Sequence, residues 1–478
     1  MASIKQHLAT LMTAIFTLLL IALVWFLFNP FNTTSDLESL RYAGPSAGRM
    51  MERHLEFYEG YEQTSVVERA LHQFLFGSRE SVQQEAIRVY SEVLKYYEQQ
   101  PDFATPWGIL NTKTRKLVTI AETQGSEALV EALKEFDSNP EEEVIAEAVR
   151  FAYLQTQQDA EFNPEVFTGA SLLPIGWAAD HLRKRIAQKV GNQKFALILE
   201  DRLKNRGQRL RQHVLNLVIV IASIIVTGIF LIVRFETLHR PSPWPTGILA
   251  RPWSVAEGFR VSVIAAVLGL VIWIALHIVS QTFFKPSIFS MWATLFASLP
   301  MLWLMHRYLL KPRGLTFRAA FGLSVFKPGA KNFFSITLGL LAIELIGLLL
   351  IGWGTWQLGL GDHWAQGMQE RLVFGPEQTV ILSAVGIVLW TPIFEEIGFR
   401  GLVYTTMRSR LTPTVAIVAS AALFSSLHLN SLVGFLSIFW SGLLLAYAYE
   451  RYHSLLPGIV MHSLGNLLNL GIVLLFYR

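Results

Sequence analysis

The chain contains no cysteine among its 478 residues. That excludes a thiol nucleophile, disulfides, a cysteine-ligated zinc site and palmitoylation. Charge is scarce as well: Asp, Glu, Lys and Arg make up 16% of the sequence, well below the roughly 25% of an ordinary soluble domain. Aspartate almost vanishes after residue 213, where Asp362 stands alone. Gly359-Leu-Gly-Asp362 therefore imitates the signature of an intramembrane aspartyl protease without the second acid that such chemistry needs. There is no His-Glu-x-x-His pair for a zinc peptidase, and no Gly-x-Ser-x-Gly elbow is expected. Basic residues are scattered rather than gathered into a tract, so the net charge of +4 makes no case for nucleic acid as a partner.

What is present is apolar sequence. Hydrophobic residues make up 52% of the chain and mean hydropathy is +0.38, which places it among integral membrane proteins. Leu8–Phe28 runs without a charge, long enough to cross roughly 30 Å of hydrocarbon as a helix. It exceeds the usual core of a signal peptide and lacks a small-x-small cleavage site, so an uncleaved anchor over 1–30 is expected. Residues 31–212 are polar and rich in Glu, Gln, Ala and Leu. Ser81–Gln99 and Glu141–Leu154 carry apolar residues at three- and four-residue spacing, the amphipathic-helix pattern. Ser138-Asn-Pro-Glu-Glu-Glu143 has the composition of a helix start. A soluble all-helical domain is predicted for 31–212.

From Val214 onward the sequence is mostly spans, predicted at 214–233, 261–280, 287–306, 333–353, 379–405, 412–430, 432–449 and 455–476. With the anchor that makes about nine. The expected fold is all-α: a polytopic membrane helix bundle with a soluble helical domain inserted after the first span. The membrane part divides into spans and loops over 213–377 and a core over 378–478. With the N-terminus inside, the loops at 234–260, 307–331, 400–412 and 450–454 hold 14 basic residues on the inner side, against Lys285, Arg371 and Arg478 outside. The positive-inside rule favours that arrangement and puts the 31–212 domain outside a plasma or inner membrane. The basic run Arg202–Arg211 argues the other way, but long domains largely escape the rule.

Chemistry concentrates near the C-terminus. Glu395 and Glu396 interrupt an apolar run, and a charge at such depth costs roughly 2.5–3.5 kcal/mol per residue on insertion scales. Residues four apart share a helix face, so Glu396 can pair with Arg400 while Glu395 points about 100° away. Phe424 with His428, and His462 with Asn466, recur at the same spacing in later apolar segments. At 1.5 Å per residue from assumed inner ends, Glu395, His428, His462 and Asn466 lie about 18, 24, 10 and 16 Å deep, close enough to share one cavity. A carboxylate beside a neutral histidine can take a proton from water, and a histidine–amide pair can donate to a developing oxyanion. Peptide hydrolysis fits those roles. Glu344 and His277 are also intramembrane: His277 is expected to be structural, while for Glu344 a cavity-lining role stays open beside a helix-packing or lipid-edge one, and it is left out of the site.

Glu-Glu-x-x-x-Arg at 395–400, Phe-x-x-x-His at 424–428 and His-x-x-x-Asn at 462–466, in this order, resemble the CPBP superfamily. That superfamily comprises the type II CAAX prenyl endopeptidases and the bacteriocin-processing or Abi proteins. The resemblance covers about 378–476, roughly a fifth of the chain. It implies a metal-independent, glutamate-type intramembrane endopeptidase for CAAX-box maturation or other membrane-protein processing. Glu395 would be the general base and His428 would help bind the water. His462 and Asn466 would form the oxyanion site, and Glu396 with Arg400 would hold the helices together. No cofactor is expected. A divalent metal on Glu395, His428 and His462 stays open as a second mechanism. The expected partners are a peptide or membrane-protein substrate, the lipid bilayer and a protein recruited by the 31–212 domain. The alternative from another class is a non-catalytic membrane scaffold or ligand-binding protein.

Overall fold

The structure is a computed structural model that describes residues 36–134, 140–155, 169–171, 173–238, 253–283, 289–323, 330–428 and 431–478. Every regular element among these residues is helical. The chain divides into two compact units. One comprises Thr34–Leu217 with His363–Val373 and Ile472–Arg478, and the other is built from Val218–Asp362 and Phe374–Gly471. The predicted anchor at 8–28 lies outside the described residues.

The first unit holds α1 (Ala43–Phe57), α2 (Val66–Phe76), α3 (Arg79–Gln99), α4 (Pro106–Thr123), α5 (Ser126–Leu133), α6 (Pro140–Tyr153) and α7 (Trp177–Lys189). Their starts follow from sequence. Ser65, Ser78 and Thr105 each accept a backbone N–H of the first turn through the side chain, which satisfies donors that a helix leaves open. The amphipathic stretches at Ser81–Gln99 and Glu141–Leu154 fall within α3 and α6. Their apolar faces close a core around Val89, Tyr90, Val93, Leu117, Val118, Val149 and Leu182.

That core also encloses charge. His181 contacts Glu59 at 2.9 Å and Glu122 at 3.4 Å, and Arg185 reaches Glu122 at 2.8 Å. Burial alone disfavours the charged imidazole, but hydrogen bonds to the two carboxylates outweigh it and raise the pKa of His181. Burial likewise pushes the Glu122 carboxyl up, yet His181 and Arg185 overcome this and hold it well below its usual range.

Gly44-Pro45-Ser46-Ala47-Gly48 does spell Gly-x-Ser-x-Gly, contrary to expectation. The string lies at the start of α1, and the described element before it is a 3-10 turn at Asp36–Ser39. Ser46 is buried and its hydroxyl donates to Glu370 at 2.7 Å. A nucleophile elbow needs a strand-to-helix turn that exposes the hydroxyl, so these letters carry no nucleophile.

The second unit holds the later part of α8 (Gln193–Leu238), then α9 (Val255–Phe283), α10 (Phe289–Leu304), α11 (Ala330–Gln357), α12 (Glu377–Arg408), α13 (Pro413–Ser426), α14 (Leu432–Tyr452) and most of α15 (Leu456–Tyr477). In hydrocarbon an unpaired backbone group costs several kcal/mol, so apolar runs of this length fold as helices. Six helices among the described residues are long and apolar enough to cross a membrane: α8, α9, α11, α12, α14 and α15. The nine expected spans are therefore not all matched. α10 has 16 residues and passes into a wider π turn at Met305–Leu310, while α13 is a shorter apolar helix of 14.

Close approach holds this unit together. A Cβ on Gly228 would sit 2.4 Å from the carbonyl oxygen of Leu338, so α8 and α11 meet nearly backbone to backbone, as small residues allow between membrane helices. One apolar cluster gathers Met305, Leu309, Phe321, Leu402, Tyr404, Ala416, Ala446 and Tyr449. A second gathers Ile336, Leu340, Leu341, Leu445, Ala448 and Met461. Glu450 inside the bundle accepts from the Tyr404 hydroxyl at 2.6 Å and from Arg408 at 3.0 Å.

Candidate active site

α12 is a distorted helix, and the distortion lies where the acids are. Two π segments, Gly386–Trp390 and Glu396–Tyr404, flank the short α-helical stretch Thr391–Glu395. Pro392 supplies a cause, because it has no N–H for the preceding turn. In the wide register the missing bond would have gone to the carbonyl five residues back, which is Ile387. The side-chain amide of Asn466, on α15, donates to that carbonyl at 2.8 Å. A polar side chain from another helix thus replaces the hydrogen bond that proline cannot make.

Glu396 and Arg400 form the pair anticipated from their spacing. Arg400 Nη1 donates to Glu396 Oε1 at 2.9 Å, and each side chain is only 1% exposed. Arg400 Nη2 donates to the Gly442 carbonyl of α14 at 3.2 Å. Its guanidinium also lies 4.4 Å from the Phe424 ring centre, within cation–π range. One arginine therefore ties α12 to α13 and α14. Glycine suits position 442, since a Cβ would come within 3.1 Å of Ala421 and 3.4 Å of Phe424 and press on both. Arg400 was expected to contribute to the inner loop charge; it lies instead inside α12, fully buried.

Glu395 stands apart from that pair, with a side chain 25% exposed. His428 Nε2 is 3.9 Å from its Oε1 and His462 Nε2 is 3.8 Å from its Oε2. Each histidine is oriented through its other nitrogen. His428 Nδ1 faces the Phe424 carbonyl at 2.7 Å, an oxygen that can only accept, so Nδ1 carries a proton and neutral His428 turns a bare Nε2 toward Glu395. His462 Nδ1 contacts Glu396 Oε1 at 3.2 Å. His428 was predicted on a continuous span over 412–430, but α13 ends at Ser426. The residue lies in the turn beyond it, and that turn rather than helical periodicity aims its ring.

Five of the six candidate residues thus surround one locus: Glu395, Glu396, Arg400, His428 and His462. Asn466 lies on the same face of α15 as His462, engaged with Ile387. Among the described residues, no group of three or more His, Asp and Glu is arranged to hold a metal ion. The roles of Pro392, Ile387 and Gly442 escaped sequence reasoning. Pro392 was the available signal, a proline four residues before the buried Glu396, whereas the two carbonyl acceptors leave no trace in side-chain identity.

Residues 377–468 match the family model described as type II CAAX prenyl endopeptidase Rce1-like. No curated protein and no solved structure matches the chain. The Rce1-like segment opens with α12, closes within α15 and contains all six candidate residues. The match is to a family of CAAX-type membrane proteases, and the apolar helices support a multi-pass integral membrane protein. The segment leaves out α8–α11 and the entire helical unit that precedes them.

Proposed function

We propose that this protein is an intramembrane endopeptidase that hydrolyses a peptide bond with water activated by Glu395. The observation that carries the proposal is the contrast between adjacent acids: Glu396 is bonded to Arg400 and His462, while Glu395 faces two histidine nitrogens across gaps of 3.8 and 3.9 Å. Those gaps are too long for direct hydrogen bonds. One water donating to two acceptors at about 2.8 Å separates them by roughly 4.4 Å, so a bridging water between Glu395 and His428 needs their 3.9 Å gap to widen by about 0.5 Å.

In the proposed reaction Glu395 takes a proton from that water as its oxygen attacks the scissile carbonyl carbon. The proton then passes to the departing amine as the C–N bond breaks. His462, held by Glu396, and the second N–H of the Asn466 amide would donate to the oxyanion. Glu396 and Arg400 would keep the helices in register. The mechanism uses no metal, and the substrate would be a CAAX-type or other membrane-protein terminus. The N-terminus would lie inside a plasma or inner membrane, with the 31–212 domain outside, recruiting substrate or a partner.

Comparison of membrane-protein termini from cells carrying the wild type, Glu395→Ala or His428→Ala tests this assignment. A set of cleaved termini should disappear in both variants; unchanged termini would refute it. Purified protein should keep its activity in EDTA, whereas loss restored by a divalent cation would favour the metal mechanism. The engagement of Asn466 and His462 in helix-holding hydrogen bonds favours the scaffold reading as the second choice. That reading requires Glu395→Gln to complement fully.

A further inference from the structure

Glu344 is an acid midway along α11, outside the Rce1-like segment. It is 6% exposed, in a helix otherwise apolar through its middle turns. Its Oε1 accepts from the Ser441 hydroxyl of α14 at 2.6 Å, and its backbone carbonyl accepts from the Trp440 indole at 3.2 Å. Oε2 has no hydrogen-bond partner and is turned to α15, where a Cβ on Gly465 would lie 3.4 Å away.

Both contacts adjoin the site. Ser441 precedes Gly442, the carbonyl on which Arg400 rests. Gly465 lies between His462 and Asn466, and Glu344 is within electrostatic range of His462 and Glu396. An acid at this depth is costly unless it is used, and apolar packing alone would be served better by leucine.

We infer that Glu344 is a positioning residue of the proposed active site. It clamps α11 to α14 through Ser441, next to the Gly442 carbonyl that holds Arg400, and lies in van der Waals range of α15 at Gly465. His462 is thereby held facing both Glu395 and Glu396. The inference rests on the proposed catalytic role of that cluster. It also gives a membrane helix outside the matched segment a part in the reaction, since a misplacement of about 1 Å at a catalytic group can cost on the order of 100-fold in rate.

The test uses the full chain in lipid nanodiscs with a fluorogenic farnesylated CAAX peptide. Glu344→Ala should lower kcat by about tenfold to a hundredfold with KM within about twofold. Glu344→Gln keeps an oxygen for Ser441 and should recover at least half of the wild-type kcat. Thermal unfolding of each variant confirms that folded protein is compared. Wild-type kcat in Glu344→Ala would overturn the inference, as would a loss confined to KM. Equal inactivity of Glu344→Gln and Glu344→Ala would also overturn it, because it would mean that the acid itself reacts. Glu395→Ala separates the two levels: if it still cleaves, the site assignment fails and this inference with it. If Glu395→Ala is dead and Glu344→Ala is normal, only the present inference falls.

Discussion

Neutralising each of the adjacent glutamates in turn should separate stability from activity. Glu396→Gln removes the negative charge that balances Arg400, whose guanidinium is 1% exposed and, beside the new neutral amide, retains the Gly442 carbonyl and the Phe424 face. Breaking a buried ion pair from one side typically costs 3–5 kcal/mol, because the remaining charge is left uncompensated. A loss of about 3 kcal/mol is expected here, at the lower end because two contacts persist. Glu395→Gln removes a group whose histidine neighbours are 3.8 and 3.9 Å away and whose side chain is 25% exposed. Neither histidine is directly bonded to it, so its loss should cost only about 0–1 kcal/mol, the size of a weak ion pair. Its activity, by contrast, should fall by about 10²–10⁴-fold, the usual contribution of a general base. SDS titration of purified protein in bicelles gives the unfolding free energy, and terminus counting or peptide cleavage gives the activity. If Glu395→Gln proved the more destabilising change, or if Glu396→Gln were the one with normal stability and no activity, the division of labour would be wrong.

Two further outcomes concern the helical unit of residues 34–217. Its stability should peak in mildly acidic solution. His181, with its raised pKa, contributes fully below the free imidazole range near 6.5 and loses that contribution as pH rises through the folded value. Glu122, with its depressed pKa, contributes above about 4.3 and loses it as pH falls through the folded value. Thermal scans of the full chain should show the first transition falling between pH 6 and 8.5, and His181→Gln should flatten that fall. An identical fall in both proteins would contradict the assignment. Glu370 accepts from the Arg41 and Tyr42 backbone N–H groups at 2.9 and 2.8 Å and so caps α1, whose N-cap side chain makes no such bond. Glu370→Ala should cost about 1 kcal/mol and speed hydrogen exchange at Arg41 and Tyr42, while unchanged exchange there would remove the cap from the account.

The helical unit shows where legibility stopped. Amphipathic spacing located α3 and α6, because burying one face of a helix writes a period into composition. Nothing local announces that Glu370 caps a helix more than 300 residues earlier in the chain. The same limit applied to spans. Length and hydropathy found α9, α11, α14 and α15, but they extended α13 through His428, where the helix stops at Ser426.

For the candidate site, the sequence alone determined the cast: two adjacent acids, an arginine four residues on, two histidines and an amide, each embedded in apolar surroundings. It also determined the pairing of Glu396 with Arg400, because i to i+4 geometry is a property of one helix. Only the tertiary structure decided that Glu395 faces both histidines, that Asn466 substitutes for the missing N–H of Pro392, and that Glu344 adjoins the cluster. Those facts depend on how separate helices rotate and approach one another. Rotation and approach follow from side-chain volumes such as the bare backbone at Gly228 and Gly442, summed over the bundle rather than encoded at any single position.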